Sequence, residues 1–472
     1  MRPTLRKLLS LLLLSLPPLP ALAQAELDKL TLFHAPVLLL RNVQLFDGSG
    51  AAPQPQRAIL IRDGRIERIA ADAELQAPAG AVVRDLGGAA VAPGFVLMHE
   101  HQFYPVESGS YGAMFRSFPL LYLAGGVTTL RTAGSMSPYA DLNARRDIES
   151  GAAAGPDMDV TAPYLNGATP FVAQVPRIKN AADAERMVRY WADEGASSYK
   201  GYMHLTRAQL AAAVSAAHAR QAKMTAHLCA VSYREAADAG IDNLEHGFMV
   251  ASDFVKDRKP DVCPAGDAVG RSLDALAVDD AGMKALQAHL IAKKVAITST
   301  LTIYETFAQG RPMAPAGALD LLIPQLREQY VSRYTTIQRG APNLWTRLLP
   351  KAMAWEKQFV EAGGLLLAGT DPTGYGGVVP GYSSLRQLEL LIEAGFEPAQ
   401  AIRIMTLNGA RYLGREAEIG SLAAGKRADL VVFQQPIVAG QPLPGLAWTM
   451  KAGRAFDRDK ILAIWKGRVG LQ

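Results

Sequence analysis

Eight short apolar runs separated by segments of helical character constrain this chain more than any other feature of it. Between about Pro93 and Gly414 they read GFVLMHEH, GVTTLRTAG, DVTAPYLNG, GASSYKGYM, AKMTAHLCA, IDNLEHG, VAITSTLT and GLLLAGTDP, with helix-like stretches such as Ala181 to Glu194 and Thr206 to Gln221 between them. Strands that alternate with helices pair in parallel, and eight β/α units are the number that closes into a TIM barrel. An open doubly wound sheet is the competing arrangement. It would call for a glycine-rich phosphate loop after the first strand, where this chain instead has two histidines.

The flanks have another character. From Pro36 to about Val91 the text is strand and turn, with Asp63-Gly64 between two alternating runs as the signature of a tight hairpin. Similar β-rich text resumes at the far end, in GSLAAGKRADLVVFQQ and TMKAGRAFD. The expectation is an α/β chain whose barrel, residues 93–414, is enclosed by a small β-sandwich domain built from residues 24–92 plus 415–472.

The first 23 residues read as an export signal: Arg2, Arg6 and Lys7, then LLSLLLLSL, then Ala21-Leu-Ala23 as the cleavage site. A periplasmic or secreted protein follows, with no membrane span after cleavage, because no later stretch of about 20 apolar residues exists. Such a compartment permits disulfides, but the only cysteines are Cys229 and Cys263, so at most one bond forms and its presence is left open. With 49% hydrophobic and 20% charged residues among 472, the chain can bury a large core. The net charge of +5 is dispersed with no run of five like charges, which argues against a nucleic-acid partner. The expected partner is a small-molecule or short-peptide substrate, and a homo-oligomer stays open.

In such barrels the chemistry sits where strands end. His99 and His101 leave the first strand on one face, about 7 Å apart by the strand rise, while Glu100 faces the other way. Lys200 ends the fourth strand, His227 the fifth, His246 the sixth and Asp371 the eighth. Taken singly, each has an ordinary explanation: a solvated lysine, a satisfied core histidine, a turn-forming aspartate. Together they put nitrogen and oxygen donors of the kinds a divalent ion takes on five strand ends. His218 and His289 lie in helical text and are expected in solvent, and His34 has no assigned partner. Phe103, Tyr104, Tyr202, His204 and Tyr304 lie just past strand ends as candidate substrate contacts, and Ala251 to Gly282 reads as a lid.

In these residues the chain resembles the amidohydrolase superfamily over nearly the whole mature length. The likeness is carried by APGFVLMHEH, GGVTTLRTAG, GASSYKGY, AHLCAVSYREAADAGIDNLEHG, LLLAGTDP and MTLNGARYLGREAEIGSLAAGKRADLVVF. The subgroup it looks most like has imidazolonepropionase-like and prolidase-like members. Where prolidase-like relatives carry an aromatic hydroxyl two residues after the fifth-strand histidine, this chain has Cys229. The resemblance implies two divalent ions, zinc first with manganese or cobalt as alternatives, bridged by a CO2-derived carbamate on Lys200. It implies that His99, His101 and Asp371 hold one ion and His227 and His246 the other, with Asp371 also the general base. The implied activity is hydrolysis of an amide in a dipeptide, N-acyl amino acid or other non-protein compound. Hydrolysis of a cyclic amide or lactone is the alternative, and Lys200 argues against the mononuclear deaminases. A binding protein that kept the barrel and lost catalysis would show a missing ligand, and none is missing.

Overall fold

The computed structural model describes residues 27–107, 109–168 and 172–471. The export signal therefore lies outside the described residues. Eight parallel strands carry the middle of the chain: β1 (Phe95–Glu100), β2 (Val127–Thr132), β3 (Asp157–Asp159), β4 (Ser198–Gly201), β5 (Lys223–Ala226), β6 (Asn243–Glu245), β7 (Ala296–Ser299) and β8 (Leu366–Ala368). Nearly every residue in them is buried, as expected of parallel strands covered by helices on the outside. The ladders fall into two groups, β3-β2-β1 and β4-β5-β6-β7-β8. Between the groups, isolated parallel bridges join Thr161 to Ser198 and Leu165 to Gly201. At the other side the backbone N–H groups of Thr370 and Asp371 donate to the His99 carbonyl at 3.2 and 3.1 Å, which brings the end of β8 onto the end of β1. The arrangement is a TIM-barrel-like α/β fold.

Local chemistry sets the helices that follow the strands. After β4, Thr206 caps helix Arg207–Ala219 in a reciprocal capping box with Gln209, and after β5, Ser232 does the same with Glu235 for Tyr233–Asp238. Among the described residues, no helix is long and apolar enough to cross a membrane.

Both ends of the chain enter one nine-stranded sheet, in the order Thr31–His34, Arg454–Asp457, Leu446–Lys451, Leu430–Phe433, Ala90–Pro93, Val37–Leu45, Gln54–Arg62, Arg65–Ala71, with Val82–Asp85 beside Val37–Leu45. Ala90–Pro93 links the two halves of this ladder, hydrogen-bonded to Val37–Leu45 on one edge and to Leu430–Phe433 on the other. Strand alternation then sends Leu38, Leu40, Ile59 and Ile61 to one apolar cluster and Leu39, Ala58 and Leu60 to another. The hairpin turn is as read: Asp63 and Gly64 both have positive φ, 47° and 75°, the conformation a two-residue turn of this kind needs. This sheet is tied to the barrel at Asp157 on β3, whose carboxylate meets Lys451 at 2.7 Å, Arg427 at 2.8 Å and Arg415 at 2.9 Å.

Candidate active site

The strand ends open into a cavity of about 550 Å³ whose floor is polar and whose walls are apolar. His99, His101, Lys200, His227, His246 and Asp371 all line it. Glu100 does not; it turns away, as alternation along β1 requires, and accepts from the backbone N–H of Thr370 at 2.8 Å and from its hydroxyl at 2.6 Å. Burial pushes the Glu100 carboxyl up to about 8.

Asp371 is the hub of the floor. Its Oδ1 lies 3.3 Å from His101 Nε2 and 3.6 Å from His99 Nε2, and its Oδ2 lies 3.7 Å from His246 Nδ1. The tightest donor group is His99, His246 and Asp371, whose ligand atoms all fall within 4.8 Å of one another. His101, expected to join His99 and Asp371, comes nearest of these imidazoles to the Asp371 carboxylate, and its Nδ1 is turned to the Gly134 carbonyl at 3.3 Å. Lys200 Nζ approaches His99 Nε2 at 3.3 Å, and the ring of His227 packs on that of His246 with centroids 4.5 Å apart.

Backbone conformation aims two of these groups. His246 and Asp371 have φ of 69° and 54°, the left-handed region that costs a residue with a side chain about 1–3 kcal/mol. Close approach also matters at Gly369, where a Cβ would fall 2.3 Å from His99 Cβ and 2.6 Å from its backbone nitrogen. Only glycine lets the end of β8 lie against β1 and deliver Asp371 to the histidines.

Burial sets the charge states. It draws His101 down to about 4 and His227 to about 3, and lowers His99 and His246 as well, so all four imidazoles are neutral at pH 7 with lone pairs available. Burial also draws Lys200 down, to about 8. Burial alone would raise Asp371, but its contacts with His99, His101 and His246 outweigh that and keep the carboxyl below the usual carboxylate range.

Beneath the floor lies a pair that the sequence reading missed. His99 Nδ1 donates to Glu245 Oε2 at 2.8 Å, while Glu245 Oε1 accepts from Arg131 Nη2 at 2.6 Å and from the Thr225 hydroxyl at 2.5 Å. Arg131 spans the barrel interior, donating also to Asn243 Oδ1 and to the Met98 carbonyl. The bond to Glu245 fixes the proton of His99 on Nδ1 and leaves Nε2 bare toward Asp371 and Lys200, the orienting role such outer carboxylates play for metal-binding histidines. The signal was present in TTLRT and NLEH: a charged residue inside a buried strand requires a charged partner.

Of the expected substrate contacts, Phe103, Tyr202 and Tyr304 line the cavity, and Tyr104 and His204 do not. Tyr104 alternates away from Phe103 on the hairpin strand Phe103–Glu107, and its hydroxyl is occupied by the Gly377 N–H at 2.9 Å. At the turn after β4 it is Met203, not His204, that reaches the cavity, while the His204 backbone N–H is held by Asn166. His218 and His289 lie on the outside, bonded to Asp242 and Asp238. Cys229 and Cys263 are joined in a disulfide and both line the cavity, so the segment after β6 is pinned beside His227.

A barrel-like α/β frame with a buried cluster of neutral histidines, a lysine and an aspartate at its strand ends belongs to the class of proteins built to hold divalent ions at that rim. The chain belongs to the amidohydrolase family, whose model matches residues 90–456. Among curated proteins it is similar to an imidazolonepropionase of Geobacillus sp. (strain WCH70), 35% identical over 94 residues, and to a 5-methylthioadenosine/S-adenosylhomocysteine deaminase of Moorella thermoacetica, 44% identical over 69 residues. These matches take in 19% and 14% of this chain and only 20% and 16% of those proteins. Among solved structures it resembles one provisionally named a prolidase from Bifidobacterium longum, with 25% identity, a TM-score of 0.63 and coverage of 92% of this chain and 100% of that one. A bottromycin amidohydrolase shares the fold at a TM-score of 0.70, 21% identity and coverage of 97% and 94%.

Proposed function

We propose that the protein is an exported, metal-dependent hydrolase that cleaves a carbon–nitrogen amide bond in a small molecule, dipeptide or N-acyl amino acid. One observation carries the reading: four neutral histidines, Lys200 and an ionised Asp371, drawn from five strand ends, converge on one cavity floor. The donor chemistry fits divalent ions, because buried neutral imidazoles and an anionic carboxylate are the donors such an ion takes. His99, His101 and Asp371 would supply one set of donors and His227 and His246, whose rings pack together, the other. Lys200, 3.3 Å from His99 Nε2, is the candidate for the carbamate, and zinc is the first choice of metal. When bound, such ions supply a water acidified to near neutrality and polarise the scissile carbonyl.

The chain's own groups do the rest. Asp371 receives the proton of the attacking water on its carboxylate and passes it to the leaving nitrogen. Glu245 and Arg131 hold His99 with its proton on Nδ1, and the apolar walls keep bulk water from the floor. The Cys229–Cys263 bond supports export, since disulfides persist in oxidising compartments. Mature protein loaded with zinc, manganese or cobalt and screened against dipeptides, N-acyl amino acids, cyclic amides and lactones tests the reading, with elemental analysis alongside. The expected result is turnover of linear amides with close to two ions per chain. Turnover confined to lactones or cyclic amides would shift the reaction class, and full activity with one ion per chain would refute the two-metal site.

A further inference from the structure

The wall of the cavity between β7 and β8 carries information about the substrate that the floor does not. That connection contributes the helices Leu301–Phe307, Pro324–Arg339 and Leu344–Glu361. A strip of rings leads outward along it from the floor. His246 meets Tyr304 with centroids 5.9 Å apart, Tyr304 meets Trp345 at 5.3 Å, Trp345 meets Phe307 at 5.8 Å, and Phe307 meets Tyr375 at 5.6 Å. Where the strip ends stands Arg333, which lines the same cavity, is exposed, and has its charge felt by Tyr375.

Arg333 has no carboxylate at ion-pair distance among the described residues, whereas Arg311 is clamped by Glu305 and Glu393, and Arg347 by Asp274. The acids that share the cavity lining outside its floor are Glu107 and Asp267, the latter already held by Arg271, and both repel an anion. Arg333 is therefore the lining side chain, outside the histidine–lysine floor, that attracts one. A guanidinium left without a partner at the end of an aromatic groove offers a planar fork matched to a carboxylate.

We infer that the substrate has an aromatic or bulky apolar body that lies on this strip and a free carboxylate at its far end, selected by Arg333. The inference rests on the amide-hydrolase reading and names the substrate class within it: acyl-amino acids or short acyl-peptides with a free C-terminus and an aromatic residue. Neutral amides of the same shape fill the groove but leave the guanidinium with water alone, so they are the poorer substrates.

The test compares N-acetyl-phenylalanine and N-acetyl-phenylalanyl-phenylalanine, each as the free acid and as the C-terminal carboxamide, in the wild type and in Arg333→Gln and Arg333→Lys. Both kcat/KM and, by calorimetry, Kd are measured. The expected result is a preference of about two- to fivefold for the acid of at least one pair, the size expected of an ion pair at an exposed site. That preference collapses toward unity in Arg333→Gln, is kept in part by Arg333→Lys, and weakens in the wild type as salt is raised. Equal handling of acid and amide by the wild type, or a preference that survives Arg333→Gln, overturns the inference while leaving amide hydrolysis standing. Should none of the four be hydrolysed, the same comparison in Kd decides: an acid preference lost in Arg333→Gln upholds the anion site even as the catalytic reading fails, and equal Kd values overturn it.

Discussion

Replacing Glu245 by glutamine probes whether the pair beneath the floor sets the state of His99. The carboxylate uses both oxygens: Oε2 accepts from His99 Nδ1 at 2.8 Å, and Oε1 accepts from Arg131 at 2.6 Å and Thr225 at 2.5 Å. Glutamine has one acceptor oxygen and one amide nitrogen, so neither orientation satisfies both sides. If the nitrogen faces Arg131, two buried donors oppose each other and the guanidinium loses its counter-charge. If it faces His99, the imidazole must move its proton to Nε2, the nitrogen that points at Asp371 and Lys200. The side chains of Glu245, Arg131 and His99 are 0%, 1% and 1% exposed, so water cannot repair either arrangement.

Breaking a buried ion pair by removing one charge costs about 3–5 kcal/mol, and the neutral isostere should fall near the lower end of that range. Losing the orienting carboxylate of a metal-binding histidine costs about 10–100-fold in metal affinity. Denaturant unfolding of the metal-free wild type and Glu245→Gln measures the first effect, and competition with a chelator of known affinity measures the second. A variant within about 1 kcal/mol of the wild type and unchanged in metal affinity would refute the orienting role, because a buried pair cannot lose its charge unnoticed.

Asp371→Asn should lower turnover by at least about 10²-fold with the thermal midpoint of the metal-free protein little changed, and near-wild-type rates would move the general base elsewhere. Lys200→Ala should bind one ion fewer by elemental analysis and lose most activity, with short carboxylic acids restoring part of it; a lysine that bridges nothing predicts unchanged metal content. Glu100→Gln should leave metal content unchanged, because that side chain bonds Thr370 behind the cavity rather than the floor. Asp157 gives a pH prediction: burial opposes ionisation, but Lys451, Arg427 and Arg415 hold its carboxyl below the ordinary 3.8, so its contribution is present above that value and is lost as pH falls toward the folded-state value. Asp157→Asn should therefore cost about 2 kcal/mol at neutral pH, with the gap to the wild type narrowing below about pH 4 in urea titrations.

All eight core strands were legible because burial on both faces leaves an apolar run that local text displays directly. Even so, β3 is placed at Asp157–Asp159, starting two residues ahead of DVTAPYLNG. Beyond it the ladder breaks into isolated bridges at Thr161, Pro163 and Leu165, where Pro163 has no N–H to offer. The terminal β text reads as a sandwich built from both ends of the chain; strand period does not show which strands pair, and the link between the halves is Ala90–Pro93, paired with Val37–Leu45 and Leu430–Phe433. Distance along the chain hid Glu245 from Arg131 in the same way, at a sequence separation of 114. The far wall of the cavity was illegible for a different reason: helical text between β7 and β8 shows which residues are apolar but not that Trp345 and Arg333 turn toward a rim built elsewhere.

The candidate ligands themselves divide along the same physical line. His99 and His101 could be placed on one face because an extended strand alternates, and alternation is a local rule. It says nothing of His246 and Asp371, which stand in left-handed conformations one and three residues past the ends of β6 and β8, where the extended geometry has already been abandoned. What marks them in the sequence is their neighbours: Gly247, itself at φ 60° with Glu356 Oε1 2.4 Å from where a Cβ would lie, and Gly369, against which His99 is packed. Residues with side chains are held in that region only when the surroundings over-determine them, and here the determinants converge: Asp371 N–H on the His99 carbonyl, Thr373 on the Asp371 carboxylate, Thr300 on His246 Nδ1. A strained conformation kept at the same rim on two strands, each time at a donor atom facing the same floor, is what a cluster shaped around a shared ligand requires and what mere packing of the barrel does not.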